Sequence, residues 1–122
     1  MITSVHTLIY ADDPAAARAF FRDVLDLAVI DDGDGWLIFK LPPAELGVHP
    51  TDSDGLPTGT MKLSLMCDDI ERTAKELRDK GAVVAAEISD RGYGLVTSLT
   101  VPGGVELDLY QPAHATAYDL ES

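Results

Sequence analysis

Ile9-Tyr10-Ala11-Asp12-Asp13-Pro14 and Leu65-Met66-Cys67-Asp68-Asp69-Ile70 read as one passage written twice, with an apolar run, a paired acid and the opening of a helical pattern. The offset is 56 residues, from Asp12 to Asp68, and it also lays Arg22-Asp23 onto Arg78-Asp79. Self-similarity at a fixed spacing marks a repeated supersecondary unit. In the first copy, residues 5–10 predict a strand. Asp13 then serves as N-cap, with Pro14 at the first helical position, where its missing N–H costs nothing. Ala17, Phe20, Phe21, Val24 and Leu25 recur at helical spacing and form one apolar stripe. Short strands are predicted over 27–30, 36–41 and 45–49, separated by Asp31-Asp32-Gly33-Asp34-Gly35 and by Pro42-Pro43.

The second copy keeps the order. It predicts a strand over 62–67, a helix opening at Asp69 and closing at Gly81, and strands over 83–88, 95–101 and 105–110. Ile70, Ala74 and Leu77 supply the apolar stripe, Gly81 suits the left-handed residue that ends a helix, and Pro102-Gly103-Gly104 makes the last hairpin turn. The expected fold class is α+β: two tandem βαβββ modules forming curved, mainly antiparallel sheets around a cavity, with the helices on the outer face. Module one spans 4–50, a polar breaker-rich linker 50–60, module two 61–112, and an acidic tail 113–122 leaves His114 in solvent.

Composition narrows the function classes. A chain of 122 residues holds one core. Nine Lys plus Arg against 21 Asp plus Glu give a formal charge of −12, which repels nucleic-acid backbones and anionic membrane surfaces. No stretch approaches the ~20 apolar residues of a membrane span, and the first residues lack the pattern of a secretory signal, so the expected location is cytoplasmic. Cys67, the one cysteine, leaves no internal disulfide and reads as a small buried hydrophobe.

Period-two alternation sorts side chains by face. Val105, Leu107 and Leu109 form a row to pack on a helix, leaving Glu106, Asp108 and Tyr110 opposite. By the same rule Glu45, Gly47 and His49 oppose Leu46 and Val48. Lys62, Ser64 and Met66 oppose Leu63, Leu65 and Cys67, and His6, Leu8 and Tyr10 oppose Thr7 and Ile9. The polar set either lines a cavity shared by the two modules or belongs to a solvated sheet face. Leu8, Tyr10, Met66, Trp36 and Ile38 on that side favour a cavity, because a solvated face needs few large apolar groups.

Two segments carry a family resemblance. His6-Thr7-Leu8-Ile9-Tyr10-Ala11-Asp12-Asp13, continued by Ala19-Phe20-Phe21-Arg22-Asp23-Val24-Leu25, is similar to the strand-into-helix opening of the vicinal oxygen chelate superfamily. That superfamily includes glyoxalases, bleomycin-resistance proteins and extradiol dioxygenases. Val101-Pro102-Gly103-Gly104-Val105-Glu106-Leu107-Asp108-Leu109 resembles its closing hairpin. Where family members normally carry Gly after the first helix, this chain has Asp26.

The resemblance implies a metal centre built from one residue on the first and one on the last strand of each module, positions that correspond to His6, Gly47, Lys62 and Asp108. His6 and Asp108 suit a metal; Gly47 and Lys62 do not. His49, on the face of Gly47, would complete a set of His6, His49 and Asp108 for one divalent ion such as Ni, Zn, Fe or Mn. Alternatively Lys62 pairs with Asp108 or Glu106 and replaces the metal's charge.

Two functions follow as expectations. One is a metal-dependent lyase, isomerase or dioxygenase acting on a substrate with adjacent oxygens. The other is a metal-free protein of the bleomycin-resistance type that binds or sequesters a small molecule. Tyr10, Trp36, His49, Lys62, Tyr93, Glu106 and Tyr110 are the candidate ligand contacts; Trp36 reads equally well as a residue closing the core. The resemblance also implies a homodimer, with each cavity shared between module one of one chain and module two of its partner.

Overall fold

The computed structural model describes residues 6–49, 51 and 55–120. The helix predicted in module one forms as α1, Pro14–Asp23, with the Asp13 carboxylate accepting the Ala16 N–H at 3.0 Å. It is followed by β1, Val29–Asp31, and β2, Leu37–Phe39, which pair antiparallel as a two-stranded ribbon. In module two come β3, Ser64–Met66; α2, Ile70–Asp79; β4, Val83–Val84; β5, Ser89–Asp90; β6, Gly94–Val101; and β7, Val105–Pro112. Asp69 caps α2 through the Arg72 N–H at 3.1 Å, repeating the Asp13 geometry. A short 3-10 helix, Ala117–Asp119, follows.

Module two builds one sheet in the order β3-β7-β6-β4, with β5 also pairing β6. β3 runs parallel to β7, Ser64 facing Asp108 and Met66 facing Tyr110, whereas β6 and β7 form an antiparallel hairpin from Gly94↔Pro112 to Val101↔Val105. The fold is α+β with mixed, open sheets. Module one departs from the expected four strands. Among the described residues, neither 6–10 nor 45–49 forms a strand, and Val5 lies outside them. These two segments would have to pair with each other, as β3 and β7 do, and here they do not. Their apolar side chains stay in solvent, with Leu8 65% and Leu46 88% exposed.

Both helices nevertheless feed a common core. Ala17, Phe20 and Phe21 of α1 join Ile70, Ala74 and Leu77 of α2, with Leu99, Val101, Leu107 and Leu109 of the hairpin beneath them. Apolar rows at helical and period-two spacing thus meet face to face, as burial of apolar area requires. Two ties fix the modules to each other. The Asp12 N–H donates to the Gly103 carbonyl at 2.7 Å, locking the hairpin turn against the entry of α1. Lys80 at the end of α2 pairs with Asp26 at 2.6 Å and donates to the Val24 carbonyl at 3.0 Å. Asp26 holds φ at +55°, the left-handed conformation that Gly81 supplies at the end of α2, with φ +91°.

Candidate functional site: a cleft lined by Tyr93, Tyr110 and Lys62

Around the β3 edge of the module-two sheet lies an open cleft of about 1110 Å³, reached by Ser64, Asp108 and Tyr110 from one face and by Leu65, Leu109, Thr73 and Leu77 from the helix side. Its floor is β7, its rims are the irregular segments 41–49 and 56–63, and its far wall is the turn before β6 together with the folded-back tail. The parallel pairing of β3 with β7 puts Lys62, just before β3, beside Asp108, and the two form an ion pair at 3.2 Å. Lys62 is half exposed, so the pair contributes at most about 1 kcal/mol to stability; its weight is electrostatic, because it neutralises the carboxylate at the cleft floor.

Aromatic groups form the far wall. Tyr110 on β7 lies 5.8 Å from the Tyr93 ring, edge to face, and donates its hydroxyl to the Tyr93 carbonyl at 3.2 Å. Gly94 makes this possible, since a Cβ there would run into the Tyr110 ring and the Gln111 carbonyl. The His114 ring lies 5.8 Å from the Tyr110 ring, tilted to it. Burial, and then the negative charge of Glu45, pushes the Tyr110 hydroxyl above the usual phenol range. Glu45 ties the tail to the rim, with one carboxylate oxygen accepting the Ala117 N–H at 2.8 Å and the other 3.7 Å from His114 Nε2.

The cleft thus brings together Glu45, His49, Lys62, Tyr93, Asp108 and Tyr110. His6, Tyr10, Trp36 and Glu106 do not line it. His6 and Tyr10 stand on the segment that found no sheet partner, and Tyr10 is 88% exposed. Trp36 lies under the Arg18 guanidinium at 4.8 Å, on the β1–β2 turn. Glu106 is exposed near the far end of the hairpin, opposite Thr100. Among the lining residues that sequence reasoning missed are Arg91, His114 and Tyr118. Arg91 sits in a turn, where alternation assigns no face. The tail residues enter through contacts with Glu45 and Tyr110 that no local pattern encodes.

The positions implied for a metal do not fit one. Gly47 offers no donor, although the His49 Nε2 lies 3.7 Å from where a Gly47 Cβ would stand. Lys62 places an ammonium on Asp108, and His6 is outside the cleft. Among the described residues, no three His, Cys, Asp or Glu groups lie close enough to hold an ion. Cys67 is not a substitute ligand: burial pushes its thiol up, the charges of Asp68 and Asp69 add to the rise, and a Thr73 hydrogen bond only partly offsets it.

The family model for the glyoxalase/bleomycin resistance protein/dioxygenase superfamily matches residues 3–109. The chain belongs to that superfamily. Solved structures agree on the fold of this superfamily member. An antibiotic binding protein, TnmS3, from Streptomyces sp. CB03234 is similar with TM-score 0.61 at 21% identity, covering 93% of this chain and 100% of that one. A superfamily member from Sphaerobacter thermophilus DSM 20745 has TM-score 0.61 at 24% identity, covering 90% and 98%. A lactoylglutathione lyase from Agrobacterium tumefaciens has TM-score 0.59 at 18% identity, covering 86% and 90%. Comparison with curated proteins gives no match. Among the described residues no helix is long and apolar enough to cross a membrane.

Proposed function

We propose that this superfamily member is a metal-independent binding protein that sequesters a flat, largely apolar small molecule in the cleft. The observation that carries the reading is the pairing of Lys62 with Asp108 at 3.2 Å, which sets a fixed cation where a metal-dependent relative would gather its ligands. The Tyr93–Tyr110–His114 row beside it offers stacking surface. An antibiotic-binding protein of the same fold supports the reading, because it shows that this fold can hold a small-molecule ligand. Calorimetry with naphthalene and anthraquinone compounds tests it on protein purified without an affinity tag. Binding without added metal, lost in Tyr110→Ala, is the expected result. About one equivalent of tightly held Ni, Zn, Fe or Mn, with chemical conversion of a ligand, would return the reading to a metal-dependent lyase, isomerase or dioxygenase.

On the same reading the protein is a homodimer that takes small molecules as its ligands and neither nucleic acid nor membrane as partner. Leu8, Tyr10, Leu46 and Val48 support this, since all four lie on the segments that lack strand partners and each is at least 65% exposed. A second copy covering them would bury apolar surface otherwise left in water. Sedimentation should give a dimer mass at micromolar concentration and a monomer for Leu46→Asp. A monomer for the parent chain would remove the dimer from the proposal.

A further inference from the structure

The cations of this chain are outnumbered by acids, nine to 21, so a cation without an acid beside it is unexpected anywhere on its surface. Five of the nine sit in ion pairs. Arg78 donates to the carbonyls of Val84 and Ala85, and Arg18 lies over the Trp36 ring. Lys40 and Arg91 remain, and among the described residues neither side chain has a partner. Only one of them, Arg91, lines the cleft. It also lines a smaller hollow of about 260 Å³ that shares Arg91, Val96 and Asp108 with the main cleft.

The neighbouring acids leave this guanidinium available. Asp108 is engaged by Lys62, and Glu45 by the Ala117 N–H. Glu87 shares the smaller hollow, and the Asp90 carboxylate next to Arg91 accepts the Gly92 N–H at 2.9 Å; among the described residues neither acid forms an ion pair with Arg91. Charges farther off count for little, because the screening length at physiological salt is about 8 Å. A planar fork of N–H donors at the mouth of an open cleft suits a carboxylate or a similar planar anion. Two residues along the same turn, Tyr93 presents its ring to the cleft, next to Tyr110.

We infer that the ligand is a planar aromatic compound carrying an anionic group, with its ring against Tyr93 and Tyr110 and its anion on Arg91. This inference rests on the aromatic-cleft reading and adds the sign of the ligand's charge, against what the −12 of the whole chain would suggest. The test uses three probes that share one ring system: 2-naphthoate, 2-naphthamide and 2-naphthylmethylammonium, each titrated into the full chain by calorimetry. Naphthoate should bind tightest and the ammonium weakest. Arg91→Gln should weaken naphthoate roughly tenfold and leave naphthamide unchanged, as loss of a partly exposed charged hydrogen bond predicts. Glu87→Gln, which removes an acid that shares the smaller hollow with Arg91, should strengthen naphthoate. Equal binding of naphthoate and naphthamide, or an Arg91→Gln variant that loses both alike, would overturn the anion assignment and leave the aromatic cleft standing. Failure of all three probes to bind at millimolar concentration would overturn both.

Discussion

The two modules start from nearly the same text and end in different states. Their helices are equivalent: each is ten residues long, each is capped by an aspartate accepting the N–H three residues on, and each puts three residues into the core. Their sheets are not. Module two closes its first strand onto its last in parallel, the last being one arm of a hairpin of two eight-residue strands, while module one keeps a ribbon of two three-residue strands. A helix satisfies its backbone within itself, so its local signals suffice. A strand needs a neighbour, and the expected neighbour of 6–10 is the segment 45–49, some 35 residues away, which follows Pro42-Pro43 and contains Gly47.

If the difference is energetic and not only geometric, core truncation should strike module two hardest. Leu99 is fully buried between the helices and the hairpin. Leu99→Ala should cost about 3–5 kcal/mol in urea unfolding. Ile30 on the module-one ribbon is 66% exposed, and Ile30→Ala should cost less than about 1 kcal/mol. Similar losses at both sites would mean that the ribbon is part of the cooperative core and would break the comparison.

The junction between modules comes next in size. A Cβ on Gly103 would lie 2.5 Å from the Asp13 carbonyl oxygen, and φ there is +105°. Gly103→Ala should therefore cost about 3 kcal/mol, from backbone strain and from pushing the hairpin off the α1 entry. Gly33, with φ +117° but open space around it, should cost only about 1 kcal/mol as Ala. The caps supply the matched control. Asp13→Ala and Asp69→Ala should each cost about 1 kcal/mol, and a clear inequality between them would show that the helices are less equivalent than their geometry.

These contrasts also mark what could be read in advance. Both helices, both caps, the Gly81 stop and the 105–110 strand were legible because each depends on neighbours within a few residues. The apolar row of Val105, Leu107 and Leu109 correctly predicted the helix side, and hence that Asp108 and Tyr110 face the cleft. The Lys62–Asp108 pair was legible as one of two options, since alternation placed both groups on one face. What failed was non-local. The strands at 6–10 and 45–49 were inferred from the repeat, and repetition does not guarantee pairing. Arg91 and His114 lie in a turn and in a tail, where no period assigns a direction.

The smallest expected effect concerns the parallel junction that module one lacks. The Cys67 N–H donates to the Tyr110 carbonyl at 2.9 Å, and the Cys67 thiol lies 3.7 Å from the same oxygen, so the two groups sit at one end of the β3–β7 pairing. Both are shifted upward, chiefly by burial: the thiol from its ordinary 9.0 and the phenol from its ordinary 10.0. A raised value means that the folded state favours the protonated, neutral form. The associated stability is complete below the unfolded value and is lost as pH rises through the folded one. Urea unfolding should therefore show no pH dependence from these groups between pH 7 and 8. Above about pH 9 stability should decline, first through Cys67 and then through Tyr110. Cys67→Ala should flatten the first part of that decline. Hydrogen exchange should place the weakening at the β3 amides, with those of the module-one ribbon unchanged. Stability that rises across this window, or a decline identical in Cys67→Ala and Tyr110→Phe, would show that the ionisations lie elsewhere and that the junction does not set the alkaline limit.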